Sequence, residues 1–255
     1  MQSGEEVSIS VVLDGDDPER MTQLAERLGL PVSRNGIGTG SEIQIRFQYG
    51  CLQALCLGSD GRQHLVECDL MTSSAQQRRA RRGRDLLVKA VQGRQKGPLQ
   101  ILDATAGFCV DATTLAAMGH RVVACEASPF VYELVKDGLE RARQQGLMLL
   151  PELYHQNVIE WLQANRLLTP DVIYIDPMFQ PSGKKALPDK QMQLLRQVAH
   201  VGDFSSLLEL CRRRALLRVV VKQPLKGGRT VVSPDYSIKG KRVRYDIYGR
   251  VEGNG

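Results

Sequence analysis

The stretch Leu99 to Ala112, LQILDATAGFCVDA, constrains this chain more than any other. Its apolar run is too short for a helix in a globular core and ends in Asp103, after which small residues take over. It therefore reads as a buried strand, a tight loop and a helix. Gly107, flanked by Ala104 and Ala106, keeps the loop free of bulk, so that backbone amides and the next helix N-terminus can approach a ligand. A second apolar run, Val122 to Cys125, ends at Glu126. An acid about 20 residues past such a loop is where folds of this kind hold a ribose hydroxyl. The spacing favours a nucleoside ligand.

From Leu99 onward strands and helices alternate. Strands are predicted at Ile101 to Asp103, Val122 to Glu126, Glu152 to His155, Val172 to Asp176 and Leu217 to Lys222. Helices are predicted around Ala112 to Met118, Pro129 to Gln144, Val158 to Asn165, Lys190 to Ala199 and Phe204 to Arg214. Such alternation builds a parallel sheet with right-handed crossovers and a ligand site at the C-terminal ends of the strands. Asp103, Glu126, Asn157, Asp176 and Lys222 all fall at that edge. The tail, Val231 to Val251, reads as two short strands around the basic turn Lys239, Lys241, Arg242 and Arg244, giving the sheet an antiparallel edge.

A smaller α+β unit precedes this. Val7 to Leu13 is β-branched, and Asp17, Pro18, Met21, Leu24 and Leu28 mark a capped amphipathic helix ending near Gly29. Ile43, Ile45, Phe47 and Tyr49 alternate with polar residues, and Ala54 to Leu57 and His64 to Cys68 continue the strands with turns at Gly58 and Asp60-Gly61. The expected organisation is a small domain over residues 1–72, a basic linker and helix over 73–97, and an α/β domain over 98–255.

The net charge of +6, from 34 Lys+Arg against 28 Asp+Glu, matters through its distribution. Between Gln76 and Lys96 stand Arg78, Arg79, Arg81, Arg82, Arg84, Lys89, Arg94 and Lys96 against the single acid Asp85. Like charges gathered on one surface repel unless a polyanion binds there, so nucleic-acid phosphate is the expected partner; a solvated linker is the alternative. No apolar run reaches the length of a membrane span, and MQSGEEVSIS lacks the order of a signal peptide, so a cytoplasmic protein without a membrane partner is expected. The six cysteines lie in apolar runs and read as reduced core thiols. Cys51, Cys56, His64 and Cys68 lack the paired spacing of a zinc set, and no metal is expected.

Glycine-rich loops serve NAD enzymes and S-adenosylmethionine enzymes alike. Here Asp103 precedes the glycine, which suits a ligand with a cationic amino-acid end and would repel a pyrophosphate. The strand Val172 to Ile175 delivers Asp176-Pro177-Met178-Phe179 to the sheet edge. DPMF resembles the [DNS]-PP-[YF] signature of methyltransferases that act on planar exocyclic amines. With DATAGF at the first strand, the chain is similar to the Rossmann-like class I S-adenosylmethionine-dependent methyltransferases. Five motifs narrow the match: Arg78 to Gly93, Asp103 to Ala112, Asp176 to Gln180, Val219 to Lys222 and Arg244 to Tyr248. In that order they resemble the RsmJ family of bacterial 16S ribosomal RNA guanine-N2 methyltransferases. Cys109 stands where that pattern has a glycine, and Gln180 where it has a proline.

The resemblance implies S-adenosylmethionine as cofactor and 16S rRNA or the small ribosomal subunit as partner. It implies a cofactor site of Asp103, Gly107, Val110, Asp111, Glu126, Ala127, Asn157, Val158 and Asp176, with Glu126 on the ribose and Asn157 and Val158 near the adenine. Asp111, at a helix start, is placed to bond the helix amides or the methionine amine. Asp176, Pro177 and Phe179 are the expected catalytic group, since an acceptor must hold the weakly nucleophilic amine in line while an aromatic ring stacks on the base. RNA contacts are expected from Arg78, Arg79, Arg81, Arg82, Lys184, Lys185 and Lys222. An NAD-dependent oxidoreductase and a non-catalytic RNA-binding protein of the same fold are the competing readings.

Overall fold

The computed structural model describes residues 8–13, 15–33, 43–57, 62–80, 84–177, 194, 203–225 and 232–251. The first part of the chain forms β1 (Ile9–Val12), α1 (Pro18–Leu28), β2 (Val32–Ser33), β3 (Ile43–Gln48), β4 (Cys51–Leu57) and β5 (Gln63–Glu67). These strands make a sheet in the order β2-β1-β3-β4-β5, with β1 parallel to both neighbours and β3, β4 and β5 antiparallel in sequence. Helix α1 starts where expected, because Asp17 accepts the amide of Arg20 at 3.0 Å and Pro18 supplies the first helical residue. Tyr49 departs from the predicted alternation. It lies in the β3–β4 turn with φ at +54° and is 82% exposed.

The basic segment folds into two helices, α2 (Ser73–Ala80) and α3 (Leu86–Gln92). Beyond it come β6 (Gln100–Asp103), α4 (Val110–Ala116), β7 (Arg121–Glu126), α5 (Pro129–Gln144), β8 (Glu152–His155), α6 (Val158–Ala164) and β9 (Val172–Ile175). The chain continues with α7 (Phe204–Arg214), β10 (Arg218–Pro224), β11 (Tyr236–Lys239) and β12 (Val243–Gly249). The helix predicted over Lys190 to Ala199 lies, Leu194 apart, outside the described residues. The second sheet runs β11-β12-β10-β9-β6-β7-β8. Strands β10, β9, β6, β7 and β8 are parallel, and β12 and β11 form an antiparallel edge. All four residues of β9 are buried, as an unbroken apolar run in a sheet covered on both faces requires. Among the described residues, no helix is long and apolar enough to cross a membrane.

Helix α5 joins the two sheets. Its buried residues, including Val131, Leu134, Val135 and Leu139, recur at helical spacing and pack between β4 on one side and β7 and β8 on the other. One continuous core therefore runs from Val11, Ile43 and Ile45 through Leu134 to Ile101 and Val122. The approach is close enough that a Cβ on Gly138 would stand 2.4 Å from the Cys68 carbonyl oxygen, so only glycine fits there. On the opposite face of the seven-stranded sheet, Trp161 and Leu162 of α6 and Leu208 and Cys211 of α7 cover Leu102, Ile173, Ile175, Val219 and Val221.

Candidate active site

The parallel register lines up the functional strand ends. Asp103 ends β6 opposite Tyr174 of β9, Val221 of β10 pairs with Ile175 of β9, and Lys222 and Asp176 follow that pair at the same edge. Glu126 closes β7. The loop after β6 is tied down by its own amides. Thr105 donates to Asp103 Oδ1 at 3.1 Å, Ala106 to the Cys125 carbonyl at 3.0 Å and Gly107 to Glu126 Oε2 at 2.9 Å. The hydroxyl oxygen of Thr105 accepts the Asp176 amide at 2.7 Å, linking the first loop to the DPMF strand end.

The structure brings Asp103, Gly107, Asp111, Glu126, Asp176 and Lys222 together along this edge. Glu126 accepts Gly107 on one oxygen and Ser128 on the other, at 2.8 Å. A carboxylate offers about four acceptor positions, so capacity for ribose hydroxyls remains. Asn157 accepts the Ile159 amide at 2.8 Å and caps α6, and the neighbouring Gln156 amide donates to the Glu126 carbonyl, which draws this loop to the same edge. Val158 is buried, Ala127 is exposed, and Val110 and Pro177 are half-buried. Phe179, Arg81, Arg82, Lys184 and Lys185 lie outside the described residues, as does Gln180.

Three expectations change. Asp111, placed by the sequence on the helix amides or the methionine amine, instead accepts Arg78 Nη1, the Tyr174 hydroxyl and Lys222 Nζ among the described residues, the last at 3.1 Å. Lys222, expected on RNA, is engaged by two carboxylates, Asp111 and Asp176. Its Nζ donates to Asp176 Oδ2 at 2.8 Å. Arg78 and Arg79, expected on RNA, turn inward: Arg78 Nε donates to Asp85 Oδ2 at 3.0 Å, and the buried Arg79 donates to the Leu70 carbonyl at 2.8 Å. The sequence reading also missed Tyr174 and Thr105. A tyrosine in the middle of a buried strand was the available signal, since its hydroxyl must find a partner.

The electrostatics follow from this arrangement. Burial alone would raise Asp111, but the charges of Lys222 and Arg78 hold it well below the usual carboxylate range. Burial would lower Lys222, and Asp111 and Asp176 raise it instead. Asp103, 1% exposed, is raised by burial and by the negative charge of Asp111, and among the described residues it forms no ion pair. Asp176 is raised by its surroundings and by Asp111 against the opposing pull of Lys222. Arg78 thus pairs with Asp85 and Asp111, and Lys222 with Asp111 and Asp176, while Asp103 has no cation in direct contact among the described residues. Burial and Asp111 disfavour the charged form of Asp103, so a cationic group brought beside it is favoured because it would stabilise the carboxylate, and a pyrophosphate is not. Cys109 takes a left-handed backbone, φ +56°, at the start of α4, the conformation that a glycine adopts freely. Its fully buried side chain packs into the core.

The fold is that of the S-adenosylmethionine-dependent methyltransferases, and a family model described as "Putative SAM-dependent methyltransferase" matches residues 23–250. A solved structure of a SAM-dependent methyltransferase from Neisseria gonorrhoeae superimposes with a TM-score of 0.71 at 26% identity, over 96% of this chain and 97% of that one. Ribosomal RNA small subunit methyltransferase J of Pseudomonas aeruginosa is 35% identical over 249 residues, covering 92% of each chain. The protein of that name from Alkalilimnicola ehrlichii is 32% identical over 257 residues, covering 96% of each. The chain belongs to the ribosomal RNA small subunit methyltransferase J family. It is an enzyme, and its cofactor is S-adenosylmethionine.

Proposed function

We propose that this enzyme methylates the exocyclic N2 of a guanosine in the 16S rRNA of the small ribosomal subunit, in the cytoplasm. The observation that carries the reading is the Asp176–Lys222 pair at the end of β9 and β10, 2.8 Å apart, with 31% of the Asp176 side chain still open to a substrate. The lone pair of a guanine N2 is delocalised into the ring, so the amine must be held in line and its hydrogens accepted. Asp176 and the Pro177 carbonyl are the acceptors, and Phe179, next but one in the motif, stacks on the base. When bound, S-adenosylmethionine supplies an electrophilic methyl group: the N–C bond forms as the C–S bond breaks, and the electron pair of that bond stays on sulfur. Asp103 takes the ammonium of the cofactor and Glu126 its ribose, with Gly107, Val110, Ala127, Asn157 and Val158 lining the rest. Residues 1–72 and 98–255 are the two units of this reading, joined by 73–97. Transfer of labelled methyl into undermethylated small-subunit RNA is the test, and recovery of N2-methylguanosine after digestion is the expected result. Label on any other position would sink the assignment.

With Arg78 and Arg79 engaged internally, the phosphate-binding surface is better sought at the basic turn. Because β12 runs antiparallel to β10, with Val243 opposite Pro224, the β11–β12 turn lies beyond Lys222 at the catalytic edge. A Cβ on Gly240 would meet Leu86 Cδ1 at 2.8 Å, so this turn rests on the start of α3. Lys239, Lys241 and Arg242 are exposed there, as are Arg84 and Lys89 on the α3 side. Each phosphate contact on a single strand contributes about −0.7 to the slope of log association constant against log salt. Changing Lys239, Lys241 and Arg242 together to glutamine is expected to flatten that slope by about 2 for RNA and to leave cofactor affinity unaltered. A salt series with both ligands checks this; an unchanged RNA slope would place the RNA elsewhere.

A further inference from the structure

Five charged side chains of alternating sign, Asp85, Arg78, Asp111, Lys222 and Asp176, run from the helix pair α2–α3 into the active site. Arg78 joins Asp85, which caps α3 by accepting the Leu87 amide at 2.8 Å, to Asp111 at the start of α4. Asp111 is also gripped by the Tyr174 hydroxyl of β9 and by Lys222 of β10, and Lys222 ends the chain on Asp176 Oδ2. The inner links, Asp85 to Arg78 and Arg78 to Asp111, tie the helix pair to α4. The outer link, Lys222 to Asp176, stands at the mouth of the site, where Asp176 is the most exposed of the five. Among the described residues Asp176 Oδ1 has no hydrogen-bond partner, while Oδ2 is held by Lys222 and the backbone amide by Thr105.

We propose that Arg78, Asp111 and Lys222 are positioning residues for methyl transfer: Asp111, held by Arg78 and Tyr174, sets the Lys222 ammonium against Asp176 Oδ2, which turns Oδ1 toward the target amine and keeps the carboxylate ionised. The proposal rests on the reading of Asp176 as the amine acceptor. In the step it serves, the nitrogen lone pair forms the new N–C bond, sulfur keeps the electrons of the broken C–S bond, and the amine proton passes to Oδ1 and then to solvent. The groups facing Asp176 are Asp103 of β6, Asp111 and Arg78 of the α4 and α2 side, Tyr174 of β9, and Lys222 of β10 with Tyr245 of β12 beside it. Of these, Lys222 is the cation in direct contact. The ionised carboxylate is the working form, and its surroundings already push its protonation toward higher pH. Removing Lys222 therefore moves the acid limb of activity further up.

The test is the pH profile of labelled methyl transfer by the full chain at saturating cofactor, with S-adenosylhomocysteine affinity measured alongside. Lys222→Met is expected to lower kcat at least ~10-fold at neutral pH and to raise the acid limb by about one pH unit, with S-adenosylhomocysteine affinity within about threefold. Lys222→Arg should return the limb toward its original position, which a purely structural role would not do. Should Lys222→Met fail to fold, Arg78→Lys is read instead, since a lysine cannot hold Asp85 and Asp111 as a guanidinium does. Its limb should move the same way by about half as much. A folded Lys222→Met enzyme with an unmoved limb, or one altered only in KM for RNA, overturns the proposal. Full activity in Asp176→Ala would instead overturn the acceptor reading beneath it, so the two failures are distinguishable.

Discussion

Asp176→Ala is expected to lower methyl transfer at least ~100-fold while S-adenosylhomocysteine affinity stays within a few fold, the scale seen when a positioned proton acceptor is lost. The size follows from where the residue sits. Its amide is held by Thr105 and one carboxylate oxygen by Lys222, so the side chain arrives already oriented, and no neighbouring carboxylate can replace it. Asp111 is buried and already accepts from Arg78, Tyr174 and Lys222, and Asp103 is 1% exposed at the end of β6. Cofactor affinity is spared because Asp103 and Glu126, on β6 and β7, remain in place. Initial rates with labelled cofactor and calorimetry with S-adenosylhomocysteine separate the two effects. Equal rates in mutant and wild type would remove Asp176 from the mechanism.

The second large effect is expected far from the chemistry, at Asp137. This carboxylate, 5% exposed on α5, accepts Arg20 from α1 at 2.8 Å, the Leu52 amide of β4 at 3.1 Å and Arg141 one turn on at 2.9 Å. Arg141 in turn donates to the Cys68 carbonyl at 2.7 Å. Asp137→Ala leaves a buried amide without its acceptor and strips the counter-charge from two arginines, a loss of about 3–5 kcal/mol for a buried pair broken from one side. The lower figure applies, since Arg20 is 41% exposed and water screens that contact. By contrast the Arg27–Glu133 pair, with Arg27 54% exposed, is worth under ~1 kcal/mol. Urea unfolding followed by circular dichroism checks the prediction. Because one core runs through both sheets, the midpoint should fall in a single transition; a separate early melting of residues 9–67 would contradict that coupling.

Much of the strand and helix order, the α1 cap at Asp17 and the acidic strand ends at Asp103, Glu126 and Asp176 were legible in the sequence. Each rests on neighbours a few residues away: apolar periodicity, a capping side chain, an acid where an apolar run stops. Tertiary structure alone decided what the charges do. Arg78 meets Asp111 33 positions on, and Lys222 reaches that same carboxylate from 111 positions away. An arginine written in a basic run looks the same whether phosphate or a buried carboxylate awaits it. Only closure of the parallel sheet, which sets β10 beside β9 and β9 beside β6, brings opposite charges within hydrogen-bond reach and removes them from water, where their attraction outweighs the repulsion read along the chain. The union of the two sheets through α5 has the same origin, since Asp137 and Gly138 acquire their meaning from β4 and Cys68, 85 and 70 residues earlier.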